Sequence, residues 1–258
     1  MNPNAVALVS IGCQPASGRP RRASMDARAL ELGLKLVGDH LSLLHAGDPD
    51  HPVLRDYLGM GVSQLSVLCL PPSADVVPTL VYHLRDEGAD IVLTGQQAEG
   101  GEDSGMVPYL LGESLGMAVV ANVVEISLGD GAAQVLQALP RGQRRELLVR
   151  LPFIAAVGQA APAPRQVAFA RSRRGHILKM DPAVVQIDDR QRGDRRPARR
   201  RPKRLQTAPA GGAADRLKAA SGMQTGGGRV LQNLDPDAAA HAIFSYLVEH
   251  GVIRSNQG

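Results

Sequence analysis

The feature that most constrains the fold is an alternation of short apolar runs with longer stretches of helical periodicity along the first half of the chain. Short apolar runs are typical of buried parallel strands, and such strands need helical crossovers between them. The pattern therefore predicts a parallel sheet with helices on both faces. The predicted strands are Ala5–Ile11, His40–His45, Gln64–Leu70, Asp90–Thr94 and Ala118–Val123. The predicted helices are Met25–Val37 with Ser24 as N-cap, Pro52–Met60, Asp75–Arg85 and Ser104–Leu115.

The chain changes character after these elements. The runs Ala133–Leu139 and Glu146–Leu151, joined by Pro140–Gln143, predict a β-hairpin added to the sheet. A further apolar run, Pro152–Val157, leads into Gly158–Pro164, which is rich in Gly, Ala and Pro and predicts a surface loop. Such a loop is a suitable place for a partner contact.

The C-terminal part separates into a basic arm and a helix. Between Arg190 and Arg204, nine positions are Arg or Lys and one is acidic, so this run supplies the net positive charge of the chain. We expect residues 188–228 to form a linker, with a short helix at Ala213–Ala220. Asp235 and Pro236 then start a helix that stops at Gly251. The predicted domains are 1–187, 188–228 and 229–258.

Composition excludes several classes of protein. Three Phe, four Tyr and no Trp leave few aromatic rings on which nucleic-acid bases could stack. Cys13 and Cys69 are the only cysteines, too few for a disulfide framework, which fits a reducing compartment. The N-terminus lacks the pattern of a signal peptide, and no apolar run approaches the roughly 20 residues that span a bilayer. We expect a soluble cytoplasmic protein that neither enters a membrane nor binds nucleic acid.

The sequence gives little support for catalysis by the chain itself. The seven His residues are scattered without an HExxH pattern or a paired Cys/His spacing, and Cys13 has no predicted partner base. Neither GxGxxG nor GxxxxGK[ST] is present. We therefore expect no catalytic residue and no metal site.

The most informative segment follows the fourth predicted strand. The strand Asp90–Thr94 runs into the polar, glycine-containing loop Gly95–Asp103, after which a helix is predicted from Ser104. Ligands bind at the carboxyl ends of strands in such sheets, and the free N–H groups of a helix start favour anions. A nucleotide phosphate could rest against Ser104 and Gly105, although the side chain of Asp103 or Ser104 could instead cap the helix.

This loop resembles the signature of the electron transfer flavoprotein beta subunit. The signature stretch is Ala-Asp-Ile-Val-Leu-Thr-Gly-Gln-Gln-Ala at 89–98, followed by acidic residues and then Ser-Gly. Three further landmarks occur in the family's order: Ser24-Met25-Asp26, Tyr57-Leu58-Gly59-Met60-Gly61 and Leu151-Pro152. The resemblance extends over most of the chain and identifies it as a divergent bacterial-type member. It implies a three-layer, Rossmann-like α/β fold of the adenine-nucleotide-binding type, with the added hairpin and an extended C-terminal arm ending in a helix.

The resemblance also implies cofactors and partners. The chain would form a heterodimer with the larger alpha subunit, share one FAD with it, and hold AMP or a second FAD in its own pocket. It would accept electrons from a flavin dehydrogenase, for which an amine or N-methyl amino acid dehydrogenase is a candidate, and pass them through a quinone oxidoreductase towards the quinone pool. The matched nucleotide contacts are Ser10, Asp26, Ala46, Gly95, Gln96, Gln97, Ala98, Asp103, Ser104 and Gly105.

Three segments depart from the family pattern. The loop Glu99–Ser104 is about two residues shorter and carries Gly100 and Gly101 where acidic residues are common. The first loop, Gly12–Ala23, lacks the usual Lys-Arg pair and has Arg19, Arg21 and Arg22 instead. The partner-recognition loop near 158–175 has an Arg-rich run in place of the usual Lys-rich one. The matched docking residues are Arg165, Phe169 as apolar anchor, Arg171, Arg173 and Arg174.

Two other functions remain open at the level of sequence. One is a stand-alone α/β nucleotide-binding protein or hydrolase, which would need its own catalytic groups and no partner. The other is a nucleic-acid-binding protein that uses the basic run 190–204, against which the lack of interleaved basic and aromatic residues counts.

Overall fold

The computed structural model describes residues 3–101, 104–129, 131–188 and 234–249. The chain forms two units, Met1–Arg195 and Arg196–Gly258. The basic run 190–204 and the predicted helix Ala213–Ala220 lie outside the described residues.

The elements of the fold alternate between strands and helices through most of the first unit. The strands are β1 (Ala5–Leu8), β2 (Ile11–Cys13), β3 (Pro20–Arg22), β4 (Ser42–Gly47), β5 (Gln64–Cys69), β6 (Ala74–Asp75), β7 (Ile91–Gly95), β8 (Ala118–Leu128), β9 (Ala132–Ala138), β10 (Arg144–Arg150), β11 (Phe153–Val157), β12 (His176–Met180) and β13 (Gln186–Ile187). The helices are α1 (Ser24–Val37), α2 (Leu54–Leu58), α3 (Val76–Glu87), α4 (Val107–Leu115), α5 (Phe169–Arg174) and α6 (Pro236–Glu249).

Within the described residues, nine strands form one sheet in the order β10-β9-β8-β11-β7-β1-β4-β5-β12. The strands from β8 to β12 in this order pair in parallel. Strands β9 and β10 form an antiparallel hairpin that extends the sheet next to β8. Both the parallel sheet and the added hairpin are therefore as predicted.

The central strands β1, β7 and β11 bury both of their faces, which explains their near-continuous apolar sequences. In β1, Ala5 and Ala7 pack into one core together with residues of α1 and α2, such as Leu30. Val6 of the same strand packs into a second core with residues of α3 and α4, such as Leu84. Successive strand residues point to opposite faces, so a single apolar run serves two helical layers. The predicted three-layer α/β fold is confirmed.

Some predicted boundaries differ from the structure. Helix α4 begins at Val107 rather than Ser104, because the chain stays irregular until Pro108 sets the first helical turn. Ser24 is the first residue of α1 and not its cap; Ala23 holds the cap position without a side-chain hydrogen bond. Helix α5 falls within the recognition loop expected near 158–175, and edge strand β12 follows it at positions where no element was predicted. Short elements such as these carry little periodic signal.

The C-terminal helix α6 has the start that its sequence predicts. Asp235 Oδ1 accepts hydrogen bonds from the backbone N–H groups of Asp237 and Ala238, both at 3.0 Å. Pro236 occupies the first helical position, where its missing N–H costs nothing. The predicted helix end at Gly251 lies outside the described residues.

The order of the strands creates a crevice at their carboxyl ends. Strands β4 and β7 pair with opposite edges of β1, so the chain leaves β1 towards one side and later returns on the other. In open α/β sheets such a change of direction opens a binding crevice between the loops that follow the two strands.

Candidate functional site

A cavity of about 560 Å³ lies at this switch point. Its floor is formed by the residues at and after the ends of β1, β4 and β7, and its walls by the starts of α3 and α4. A volume of this size suits an organic ligand. The cavity is lined mainly by apolar side chains, which include Leu8, Leu44, Val76, Leu80, Met106 and Leu110.

The residues that the resemblance matched to nucleotide contacts converge on this cavity. All of them except Asp103 line it: Ser10, Asp26, Ala46, Gly95, Gln96, Gln97, Ala98, Ser104 and Gly105. Asp103 lies outside the described residues. These positions are far apart in sequence, so it is the parallel arrangement of the strands that brings them together.

The start of α4 is a candidate anion site. Its cap residue, Met106, makes no side-chain capping hydrogen bond, and Ser104 Oγ accepts only a long hydrogen bond of 3.4 Å from Met106 N. Gly105 has φ +67°, and a Cβ there would lie 3.1 Å from the carbonyl oxygen of Gln96. A side chain at Gly105 would be strained, so the glycine lets the backbone approach a ligand closely.

The starts of the other two helices are already occupied by the chain's own carboxylates. Asp75 Oδ1 accepts a hydrogen bond of 2.9 Å from Val77 N at the start of α3. Glu99 Oε1 accepts one of 2.8 Å from Ser24 N at the start of α1. Because a helix start favours negative charge, these carboxylates fill the positions that a phosphate would take. Of these three helix starts, α4 is the one at which the structure shows no side-chain cap within the described residues, which makes it the candidate site for an exogenous anion.

Asp26 builds the floor of the cavity. Its Oδ2 accepts hydrogen bonds from Ser10 N at 2.8 Å and Ser10 Oγ at 2.5 Å, and its Oδ1 accepts one from Gly95 N at 3.0 Å. Burial raises the pKa of this carboxyl from 3.8 to about 6, against the opposing effect of these hydrogen bonds. Asp26 thus ties the end of β1 to the end of β7 and the first turn of α1.

The charges around the cavity are acidic. Within the described part of the chain, no Lys or Arg lines it, whereas Asp26, Asp75 and Asp188 do. His45 also lines it, and burial lowers the pKa of its imidazole. The neutral ring donates from Nδ1 to the carbonyl oxygen of Val9 at 2.8 Å. The cavity can therefore neutralise only a small amount of phosphate charge.

Two comparisons with known proteins identify the family of the chain. The family model described as "Electron transfer flavoprotein domain" matches residues 21–185. A curated protein of Chromohalobacter salexigens, named "Electron transfer flavoprotein subunit beta", is 45% identical over 252 residues, covering 96% of this chain and 94% of that protein. The chain belongs to the electron transfer flavoprotein beta-subunit family. The resemblance predicted from sequence is thus confirmed, and membership of this family indicates an electron carrier rather than an enzyme in the usual sense.

The matched docking residues of the family's recognition loop have different environments here. Phe169 is 78% exposed at the start of α5, and Arg171, Arg173 and Arg174 follow it in the same short helix. Arg165, in contrast, forms an ion pair with the buried Glu31 of α1, with Nε 2.7 Å from Oε2. Arg165 therefore positions the segment before α5, whereas Phe169 is free to contact a partner.

The first loop of the family pattern is a hairpin in this structure. Strands β2 and β3 pair antiparallel, and the residues between them are exposed. Arg21 pairs with Glu99 of the cavity loop, and Arg19 is exposed at the hairpin. The sequence did not predict this hairpin, because three-residue strands give no periodic signal.

Sequence reasoning missed a second group of cavity residues. Asp75, Val76, Val77 and Leu80 come from the start of α3, and Asp188 comes from the segment after β13. The motif Asp75 to Pro78 signals a helix start, which could have placed α3 at the same edge of the sheet as α4. Nothing in the sequence around Asp188 points to the cavity.

The described residues contain neither a helix that could span a membrane nor a metal-binding cluster. Each helix there is too short or too polar to cross a lipid bilayer. No group of three or more His, Cys, Asp and Glu side chains in that part of the chain is placed to hold a metal ion.

Proposed function

We propose that this chain is the beta subunit of a heterodimeric electron transfer flavoprotein that shares one FAD with a larger alpha subunit. In this proposal it accepts electrons from a flavin dehydrogenase, with an amine or N-methyl amino acid dehydrogenase as the candidate donor. A quinone oxidoreductase then takes the electrons towards the quinone pool. The observation that carries the proposal is family membership over nearly the whole chain, together with a cavity built from the residues matched to nucleotide contacts.

The proposed ligand of the cavity is an adenine nucleotide, either AMP or the adenylate part of a second FAD. The apolar walls suit a purine ring, and the free start of α4 suits a phosphate. A helix start supplies roughly half a positive charge, and no cationic side chain of the described residues lines the cavity. This balance favours a single phosphate over a triphosphate, whose charge would remain unneutralised.

The chain's own residues would bind and orient, and the flavin supplies the redox chemistry when it is bound. Ser10, Gly95 and Asp26 hold the ends of β1 and β7 in fixed positions, so the cavity is formed in advance of binding. The segments proposed to meet the alpha subunit are the hairpin β2–β3 and the C-terminal residues 229–258. The proposal includes two further predictions from the sequence. The domains are divided at residues 187 and 228, and the protein is cytoplasmic.

The proposed docking site for the dehydrogenase is α5. An exposed aromatic ring beside several guanidinium groups is typical of a binding hot spot. Phe169 would insert into an apolar socket, and Arg171, Arg173 and Arg174 would meet acidic groups at its rim. The pair between Arg165 and Glu31 would hold the preceding segment in place.

Co-expression with the cognate larger flavoprotein subunit tests the proposal. We expect a yellow one-to-one complex that contains one shared FAD. A stable, colourless homo-oligomer recovered despite the presence of that subunit would contradict it. Turnover of ATP or AMP by the isolated chain would instead favour the nucleotide hydrolase.

A further inference from the structure

The segment Gln96–Gly101 forms a wall with two faces. One face belongs to the cavity, because Ala98, Gly100 and Gly101 line it. The other face carries the side chain of Glu99, which turns towards the hairpin β2–β3. The same short segment therefore contacts the cavity on one side and the hairpin on the other.

The carboxylate of Glu99 holds two separate segments of the chain. Arg21 of β3 donates from Nε to Oε2 at 2.9 Å and from Nη2 to Oε1 at 3.0 Å. Ser24 N at the start of α1 donates to Oε1 at 2.8 Å. The Glu99 side chain is only 18% exposed, and two parallel hydrogen bonds to a guanidinium fix direction as well as distance. The hairpin thus cannot shift without moving Glu99.

Close backbone packing reinforces this link. A Cβ placed on Gly12 of β2 would lie 2.5 Å from Glu99 Oε2, and one on Gly100 would lie 3.2 Å from the carbonyl oxygen of Ile11. Ile11 itself belongs to β2 and also lines the cavity. The hairpin and the cavity wall are therefore in close contact at both of these glycines.

We propose that Glu99 is a positioning residue that couples the cavity wall to the hairpin β2–β3. A ligand that orders the wall also orders the hairpin, and a partner that holds the hairpin tightens the cavity by the same factor, since such coupling is reciprocal. The identity of that ligand as a nucleotide rests on the function proposed above. The coupling itself rests on the contacts of Glu99.

Arg21→Gln is the variant that tests the coupling through exchange of the wall, because within the hairpin it also removes the hydrogen bond from Arg21 Nη1 to Gln14 Oε1. It removes the paired hydrogen bonds but leaves Glu99 free to accept from Ser24 N, so the start of α1 is retained. Arg19→Gln is the matched control, because Arg19 is an exposed arginine of the same hairpin whose side chain has no bond to Glu99. Arg21→Lys keeps the positive charge but cannot form two parallel hydrogen bonds to Glu99. It should therefore retain part of the protection from exchange that Arg21→Gln loses.

The measurement is amide hydrogen exchange on the purified heterodimeric complex, after any nucleotide bound in the cavity of this chain has been removed. Without added ligand, Arg21→Gln should speed exchange about fivefold or more both in the hairpin, residues 11–22, and in the wall, residues 96–101. Arg19→Gln should change neither segment. Faster exchange of the hairpin alone, with the wall unaltered, overturns the proposal; faster exchange spread over the whole sheet does so too, because it indicates a general loss of stability.

A second experiment repeats the exchange measurement with saturating AMP. In the parent complex AMP should slow exchange at residues 104–110 and in the hairpin. In Arg21→Gln it should still protect residues 104–110 but no longer the hairpin. Equal protection of the hairpin in both complexes overturns the coupling. If AMP does not protect residues 104–110 in the parent complex, the proposed nucleotide site is wrong. The experiment without ligand then still decides whether Glu99 links the wall to the hairpin.

Discussion

Arg165→Ala removes two of the three hydrogen bonds that hold the buried carboxylate of Glu31. Arg165 donates to Glu31 from Nε at 2.7 Å, from Nη2 at 3.1 Å and from its backbone N–H at 3.1 Å, and only the last survives in the variant. Leaving one member of a buried ion pair without its partner costs about 3–5 kcal/mol. The Arg165 side chain is 41% exposed, so water screens the pair and the surviving hydrogen bond lessens the loss. We therefore expect a loss of about 2 kcal/mol in the free energy of unfolding.

The assay is urea-induced unfolding followed by circular dichroism, with Arg173→Ala as the control. Arg173 is an exposed arginine of the same segment, and its loss should cost less than about 0.5 kcal/mol. Burial tends to raise the pKa of Glu31, but the hydrogen bonds and charge of Arg165 outweigh it and hold that pKa below its usual value. The stabilisation is thus present at neutral pH and is lost as the pH falls through the lowered pKa.

The gap between parent and Arg165→Ala should therefore narrow on acidification. A variant as stable as Arg173→Ala at pH 7, or a gap that does not narrow in acid, would refute the assignment of Arg165 to the fold.

Three further predictions concern the cavity floor and the docking helix. Burial raises the pKa of Asp26 to about 6, so its contribution to stability is present below about pH 4 and is lost by about pH 6. Across that range the unfolding free energy of the parent should fall by up to roughly 3 kcal/mol relative to Asp26→Asn, and parallel pH curves would exclude this. Tyr57→Phe leaves the buried N–H of Ala23 and the partly buried carbonyl of Ser10 without their hydroxyl partner and should cost about 1–3 kcal/mol in urea unfolding; a loss under about 0.5 kcal/mol would contradict it. Phe169→Ala should slow reduction of the heterodimer by the donor dehydrogenase about tenfold or more, with unchanged flavin content. Leu148→Ala, at an 81% exposed site, should leave the rate unchanged. Equal rates for Phe169→Ala and the parent would show that Phe169 does not dock the dehydrogenase.

The sheet could be predicted because its signal is carried by many residues at once. The apolar runs around Val6, Val92 and Ile154 are long enough to mark buried strands, and each alternates between the two cores. The start of α4 could not be predicted, because Ser and Asp residues favour a helix cap wherever they precede a helix. Ser104 therefore looked like the helix start, although the helix begins at Val107. Pro108 was the one local sign that the helix starts later.

The cavity could be predicted only in part. The residues after β1, β4 and β7 follow from the rule that ligands bind at strand carboxyl ends. Glu99 illustrates the limit, since nothing in its sequence context points to an internal ion pair. Its actual partners, Arg21 and Ser24, lie more than 70 residues away in the chain. Pairings of this kind depend on tertiary packing, and local sequence carries no record of them.

The small-molecule content of the purified heterodimer tests the nucleotide site most directly. Denaturation and mass spectrometry of the extract should give one shared FAD together with one further adenine nucleotide, AMP or a second FAD, for each copy of this chain. An extract with a single FAD and nothing else, from a complex in which added AMP leaves amide exchange at residues 104–110 unchanged, would contradict the account.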